Sequence, residues 1–495
     1  MDPERSLLID LPGPELDAAW RAHLRRYRFG GVCLFRRNVS SRAQLAALTG
    51  EVRSLLGQGA WIAIDHEGGA VWRVADLPHP PAAMALAAAG SAEWAREVGG
   101  AVARGLRSLG VNWNFAPVLD VNRNPDNPVI AERSFGADPA EVIRLGLAFA
   151  EGSEREGVMA TAKHFPGHGN THTDSHLELP ALEDGLEQLA LDLLPFRAAA
   201  RAGIGAVMTA HILTRQLDPE LPATLSHRVL TELLRGQIGY LGLVVSDSLQ
   251  MRAISDRFSP GEAVRRTLLA GADLALALGP MEAQAEAAEA ARSLGEALLA
   301  PKAERAAAAA RRFPARPGGY PAAQEQADRA LFLEVARAAV TAWGSLPPLP
   351  SPGQRLALLV PEISGETAEI FEPSPAGLRL HALLRAYFPG LQLVGYQAGR
   401  LRSEPLADYL LFATTGHAAL PAADLALAHR LAEQRPLLHL AVWNPYHAPR
   451  LGLPALISYG ADPYSLQALA EVVSAGRRPE GRLPSGLRPA DAGEA

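Results

Sequence analysis

The chain has 495 residues, of which 48% are hydrophobic and 20% charged, with a formal net charge of -6. That balance suits a globular protein of two or three domains and excludes the basic footprint of a nucleic-acid binder. No run approaches about 18 uninterrupted apolar residues, so no membrane span is expected. A single cysteine, Cys33, leaves no internal disulfide and sits in an apolar run, as a small buried hydrophobe does. Residues 1–12 are charged from the outset and hold no apolar stretch of leader length, so a cytoplasmic protein is expected.

In chain order, short apolar, β-branched runs predict strands at 31–35, 61–64, 112–117, 160–164, 206–210, 241–246 and 273–278. Longer Ala/Leu/Arg-rich stretches between them, such as 92–109, 139–156 and 182–202, predict amphipathic helices. Strand and helix in alternation imply a parallel sheet covered by helices. Seven such strands predict a TIM-like (β/α)8 barrel over residues 1–313, with the eighth strand irregular or missing. Residues 314–353 predict a linker with one helix, ending in Pro347-Pro348-Leu349-Pro350-Ser351-Pro352-Gly353. Beyond it, five short strands alternating with helices predict a smaller open α/β sandwich domain over 354–495 with a parallel sheet. Its first strand is not followed by Gly-x-Gly-x-x-Gly, so no dinucleotide cofactor is expected.

Residue usage points to the barrel's loops. Lysine occurs only at Lys163 and Lys302, and five of the eight asparagines lie between Asn112 and Asn127. The segment Lys163-His164-Phe165-Pro166-Gly167-His168-Gly169-Asn170-Thr171-His172-Thr173-Asp174-Ser175-His176 repeats histidine every four residues. On a helix that spacing offers metal ligands, but Pro166, Gly167 and Gly169 argue against a helix, and no metal is expected. As a loop, it brings Asp174 within reach of His176. A carboxylate on one imidazole nitrogen fixes the tautomer and leaves the other to deliver a proton. A solvated polar loop fits the same residues.

Asp247 ends the strand expected at 241–246, where a carboxylate facing the barrel mouth can act as a nucleophile; a helix N-cap is the plain alternative. Lys163 is a compact ammonium suited to binding hydroxyls or to forming a Schiff base. Asp65, Arg73 and Arg133 are further candidates for sugar hydroxyls, although taken singly such residues more often form structural ion pairs.

Together these segments resemble the β-N-acetylglucosaminidase (β-N-acetylhexosaminidase) branch of the family 3 glycoside hydrolases. The resemblance rests on Lys163 to Gly169 followed by Asp174-Ser175-His176. It is supported by Asp65-His66-Glu67-Gly68-Gly69, Asn112 to Asp120, Arg133-Ser134-Phe135-Gly136, Met208-Thr209-Ala210-His211 and Ser246 to Met251. It implies a retaining mechanism with Asp247 as nucleophile and a His176/Asp174 acid–base dyad on a mobile loop. Asp65, Arg133, Lys163 and His164 would hold the sugar, and Arg73 and His211 match motif positions of less defined role. Position 66 is His where the family usually has Gln.

The implied partner is a small carbohydrate, terminal β-linked N-acetylglucosamine of a peptidoglycan-derived muropeptide, acted on by a monomer or homodimer without a cofactor. The alternatives are a phosphorylase using the same site, a lyase or aldolase built on Lys163, a β-glucosidase, and a non-catalytic sugar-binding protein.

Overall fold

The computed structural model describes residues 2–174, 177–182, 185–362 and 376–488. Eight strands form the first sheet: β1 (Leu7–Asp10), β2 (Gly31–Leu34), β3 (Trp61–Ile64), β4 (Trp113–Asn114), β5 (Thr161–Phe165), β6 (Ala206–Thr209), β7 (Leu243–Ser248) and β8 (Leu274–Leu276). Each pairs in parallel with its sequence neighbours except across the seam between β4 and β5, and β8 pairs with β1. Between β4 and β5 the backbone closes the ring: Asn114 N donates to Met159 O at 2.9 Å, Thr161 N to Ala116 O at 2.8 Å, and Leu119 N to Lys163 O at 2.7 Å. The architecture is the expected TIM-like barrel.

The eighth strand proved to be the first in the chain. Leu7-Leu8-Ile9-Asp10 is fully buried, but four residues flanked by charge give too short an apolar run to stand out. The third expected strand is a two-residue ladder, Trp113–Asn114. The sixth expected strand, β7, extends to Ser248, placing Asp247 inside it. The following short helix, Arg252–Ser255, is capped by Met251, so Asp247 is not a helix N-cap.

Alternation along each strand sorts the core into two layers. Leu8, Cys33, Trp61, Ala63, Met208, Leu243, Val245 and Leu276 fill the barrel interior, together with Trp113, Phe115 and Phe313. Their neighbours Leu7, Ile9, Val32, Ile62, Ile64, Val207 and Val244 face outward into a separate cluster shared with the helices. The interior is thus a packed core, and a substrate can meet the barrel only at an end.

The second sheet has seven strands in the order Thr341–Trp343, Ala455–Ile457, Leu437–Ala441, Tyr409–Thr414, Leu356–Pro361, Gln392–Gln397 and Arg400–Leu401. Its middle is parallel, as expected, but both edge strands run antiparallel, so the sheet is mixed. Strand Leu356–Pro361 sends Leu356, Leu358 and Val360 to one face and Ala357 and Leu359 to the other, each with its own cluster of helices and loops. Thr341–Trp343 lies in the segment expected as linker, yet it pairs with Ala455–Ile457. A three-residue edge strand beside Pro-rich sequence carries almost no periodic signal.

An apolar cluster joins the two halves, with Ala82, Met84, Ala85, Ala88 and Ala131 against Ala441, Tyr446, Ile457, Tyr459 and Leu487. Helices Ala92–Ser108 and Pro139–Arg155, which flank β4, approach closely through glycine. A Cβ on Gly99 would collide with the Phe149 carbonyl, and one on Gly152 with the Arg96 carbonyl. Gly152→Ala should therefore destabilise the barrel by about 1–3 kcal/mol through overpacking. Urea unfolding would show this as a lower midpoint, and an unchanged midpoint would mean the helices can part freely.

Candidate active site

The same alternation that packs the interior delivers polar side chains to the carboxyl end of the barrel. Two residues beyond inward Ala63 comes Asp65, beyond inward Thr161 comes Lys163, and beyond inward Val245 comes Asp247. Thr161 is fixed on the inner side by the Trp113 indole, whose Nε1 donates to its hydroxyl at 2.7 Å.

Four charges form one connected cluster. Lys163 Nζ donates to Asp65 Oδ1 at 2.7 Å and lies 2.5 Å from Glu67 Oε1. Arg133 grips Glu67 with two hydrogen bonds, Nε to Oε2 and Nη2 to Oε1, both 2.8 Å, and donates a third through Nη1 to Val129 O at 3.0 Å. Burial alone would raise the Glu67 carboxyl. The charges of Arg133 and Lys163 and their hydrogen bonds outweigh it and hold the group well below the usual carboxylate range. Burial likewise works against the Lys163 ammonium, but Asp65 and Glu67 overcome it and keep the group above the usual lysine value. A lysine held charged in this way is no Schiff-base nucleophile, so the lyase and aldolase alternatives lose their footing.

A second knot lies beside the first. Asp120 is completely buried and accepts from His164 N at 3.1 Å and His168 N at 2.7 Å through Oδ1, while Oδ2 meets His164 Nδ1 at 2.7 Å. Asp120 therefore fixes the His164 ring, whose Nε2 is the nitrogen left to meet a ligand. His168 is buried, with Nδ1 on Thr171 Oγ1 at 2.7 Å. Burial, then the neighbouring His164 charge, lowers its pKa to about 4.

The other expected residues are placed as follows. His211 has both nitrogens engaged within the protein, Nδ1 with Thr224 Oγ1 and Nε2 with Ser248 O, each at 2.8 Å, which braces the end of β7 beside Asp247. The Asp247 carboxylate accepts from Ser248 N at 2.7 Å. Arg73 is half-buried next to buried His66, its backbone N–H donating to His66 Nδ1 at 3.4 Å. Asp174 is half-buried, and its carbonyl accepts from Leu177 N at 2.9 Å. His176 lies outside the described residues. The histidine-rich segment is not helical between Gly167 and Asp174, and among the described residues no group of three or more His, Cys, Asp or Glu side chains is placed to hold a metal ion.

Glu67 and Asp120 belong to the site as well, although neither stands out as a functional residue in the sequence. Glu67 follows Asp65 by two and so shares its face. Asp120 had no comparable signal, because β4 is too short for a strand period to reach it.

Comparison with known proteins completes the picture. Residues 8–311 match the model of the glycosyl hydrolase family 3 N terminal domain. Beta-hexosaminidase A of Pseudoalteromonas piscicida is 41% identical over 298 residues, 55% of this chain and 48% of that protein, so this chain spans about half its length. The beta-hexosaminidase of Tolumonas auensis is 41% identical over 276 residues, covering 55% of this chain and 82% of that one. Among solved structures, a glycoside hydrolase family 3 beta-N-acetylglucosaminidase from Paenibacillus sp. str. FPU-7 superposes with a TM-score of 0.90 at 31% identity and covers 98% of both chains.

The buried histidine sets an acid limit. Unfolded, His168 would titrate near 6.5, whereas folded it stays neutral down to about 4. The unfolded chain therefore takes up a proton first, and stability falls as pH drops from about 6.5 to 4, by about 3 kcal/mol for this group. In His168→Gln, urea midpoints should be lower at neutral pH but decline less steeply over that window. An identical slope would remove His168 as a cause.

Proposed function

Since the chain belongs to glycosyl hydrolase family 3, and is thereby a glycoside hydrolase, we propose that it is a retaining exo-β-N-acetylglucosaminidase acting on terminal β-linked N-acetylglucosamine, with peptidoglycan-derived muropeptides as the natural source. The observation that carries the reading is one carboxylate, Asp247, at the inward end of β7, at the same barrel mouth as the Asp65–Lys163–Glu67–Arg133 cluster. The names of the relatives, hexosaminidases and a β-N-acetylglucosaminidase, support the acetamido sugar.

In this mechanism Asp247 attacks C1, and the bond to the leaving oxygen breaks as His176, held by Asp174, gives that oxygen a proton. The covalent glycosyl-enzyme is then hydrolysed: His176 takes a proton from water, whose oxygen attacks C1 and frees Asp247. Sugar hydroxyls are held by Asp65, the member of the cluster most open to solvent, with its side chain 22% exposed. Lys163 and Arg133 keep N–H donors beyond those already bonded in the cluster. His164 offers Nε2. Arg73 and His211 shape the wall, the latter by bracing β7.

Nitrophenyl β-N-acetylglucosaminide should be cleaved in preference to the β-glucoside, without dependence on phosphate. Asp247→Asn should lower kcat at least about a thousandfold. Preference for the glucoside would refute the substrate class, and activity surviving the substitution would refute the nucleophile.

His176→Ala should slow natural disaccharides by about 10²–10⁴-fold and activated aryl glycosides far less, because only a poor leaving group needs the proton. Equal losses on both substrates would rule out His176 as the acid.

A further inference from the structure

The second domain reaches the sugar-binding cluster through one buried carboxylate. Glu132 immediately precedes Arg133 in the turn Ala131–Arg133, and it is completely buried. Trp443 Nε1 donates to Glu132 Oε1 at 2.8 Å, and His417 Nε2 lies 3.5 Å from Oε2. Both partners follow the carboxyl ends of parallel strands of the second sheet, Leu437–Ala441 and Tyr409–Thr414. A buried carboxylate needs a donor, and among the described residues the Trp443 indole supplies the one hydrogen bond to the Glu132 side chain; His417 stands near the other oxygen without hydrogen-bonding it.

The turn it holds is not a relaxed one. Ala131 has φ +40°, the left-handed region that a residue with a Cβ avoids unless its surroundings impose it. Neighbouring bonds fasten the same loop to the second domain: Asn122 Nδ2 donates to Tyr446 Oη at 2.8 Å, and Ala137 N and Asp138 N donate to Ser485 Oγ at 3.0 and 2.8 Å. From Arg133 the chain of contacts continues through Glu67 to Lys163 and Asp65.

We propose that Trp443 is a positioning residue for sugar binding: by holding Glu132 it sets the place of Arg133, and through Glu67 the geometry of Lys163 and Asp65. This rests on the reading of that cluster as the sugar-holding set. It gives the second domain a part in substrate affinity without requiring it to touch the reacting atoms.

The test compares Trp443→Phe, Glu132→Gln, the double variant and Arg133→Lys in the full chain, by steady-state kinetics on nitrophenyl β-N-acetylglucosaminide, calorimetric binding of N-acetylglucosamine, and thermal melting. Trp443→Phe removes the donor and leaves a smaller aromatic ring in its place, so the melting temperature is read alongside. Its KM and the sugar's Kd should rise about tenfold, the size of a lost hydrogen bond to a buried charge, with kcat changed much less. Adding Glu132→Gln removes the stranded charge and should recover much of the affinity. Affinity unchanged in Trp443→Phe, or a loss that tracks the melting temperature and is not relieved in the double variant, overturns the proposal. If Arg133→Lys raises KM and Trp443→Phe does not, only the positioning role falls. If Arg133→Lys is itself without effect, the sugar-holding role of Arg133 fails and takes the positioning role with it.

Discussion

Glu67 is the point on which the site turns. It is a buried carboxylate between two buried cations, Arg133 and Lys163, and the four side chains of the cluster come from three successive segments of the barrel: the end of β3, the long loop after β4, and β5. None of these charges can be buried without the others, because an unpaired ion in that setting costs several kcal/mol. The cluster therefore ties the loops to one another as well as lining the mouth. Lys163 also lends its carbonyl to Leu119 across the seam between β4 and β5, so the residue that completes the charge network also completes the ring. Closure of the barrel and assembly of the site thus share a residue.

The loop that supplies Arg133 is held from both sides. Inward, Asn127 Oδ1 accepts from Val129 N and Ile130 N, and Ser134 Oγ donates to Asp120 O. Outward, the second domain covers it with Trp443, Tyr446 and Ser485. A loop dense in asparagine suits this duty, since each side chain can both donate and accept and can close local turns on its own backbone.

Much of this was legible in the residues. Seven of eight strands, the loops that carry polar groups, and the meeting of Asp65, Lys163 and Asp247 at one end all follow from a period of two on a parallel sheet. What was not legible has a common cause. Leu7–Asp10, Trp113–Asn114 and Thr341–Trp343 are four residues or fewer, too short for any period to rise above chance. Partnerships across long sequence separations were also invisible: nothing near Trp443 announces that it meets Glu132, and Asp120 is defined by histidines more than forty positions later. Arg133 and Lys163 stood out only through rarity and motif, while the carboxylate that joins them, Glu67, looked like any other acidic residue.

The scarcity of lysine acquires a practical meaning in the folded molecule. Both lysines are buried, Lys163 with 1% and Lys302 with 5% of its surface exposed, the first in the charge cluster and the second bonded to the Ala272 carbonyl. The folded surface is armed with guanidinium groups and offers almost no ε-amine. Amine-coupling reagents would reach these two side chains only in molecules whose barrel has opened, so modification located at Lys163 and Lys302 reports unfolding.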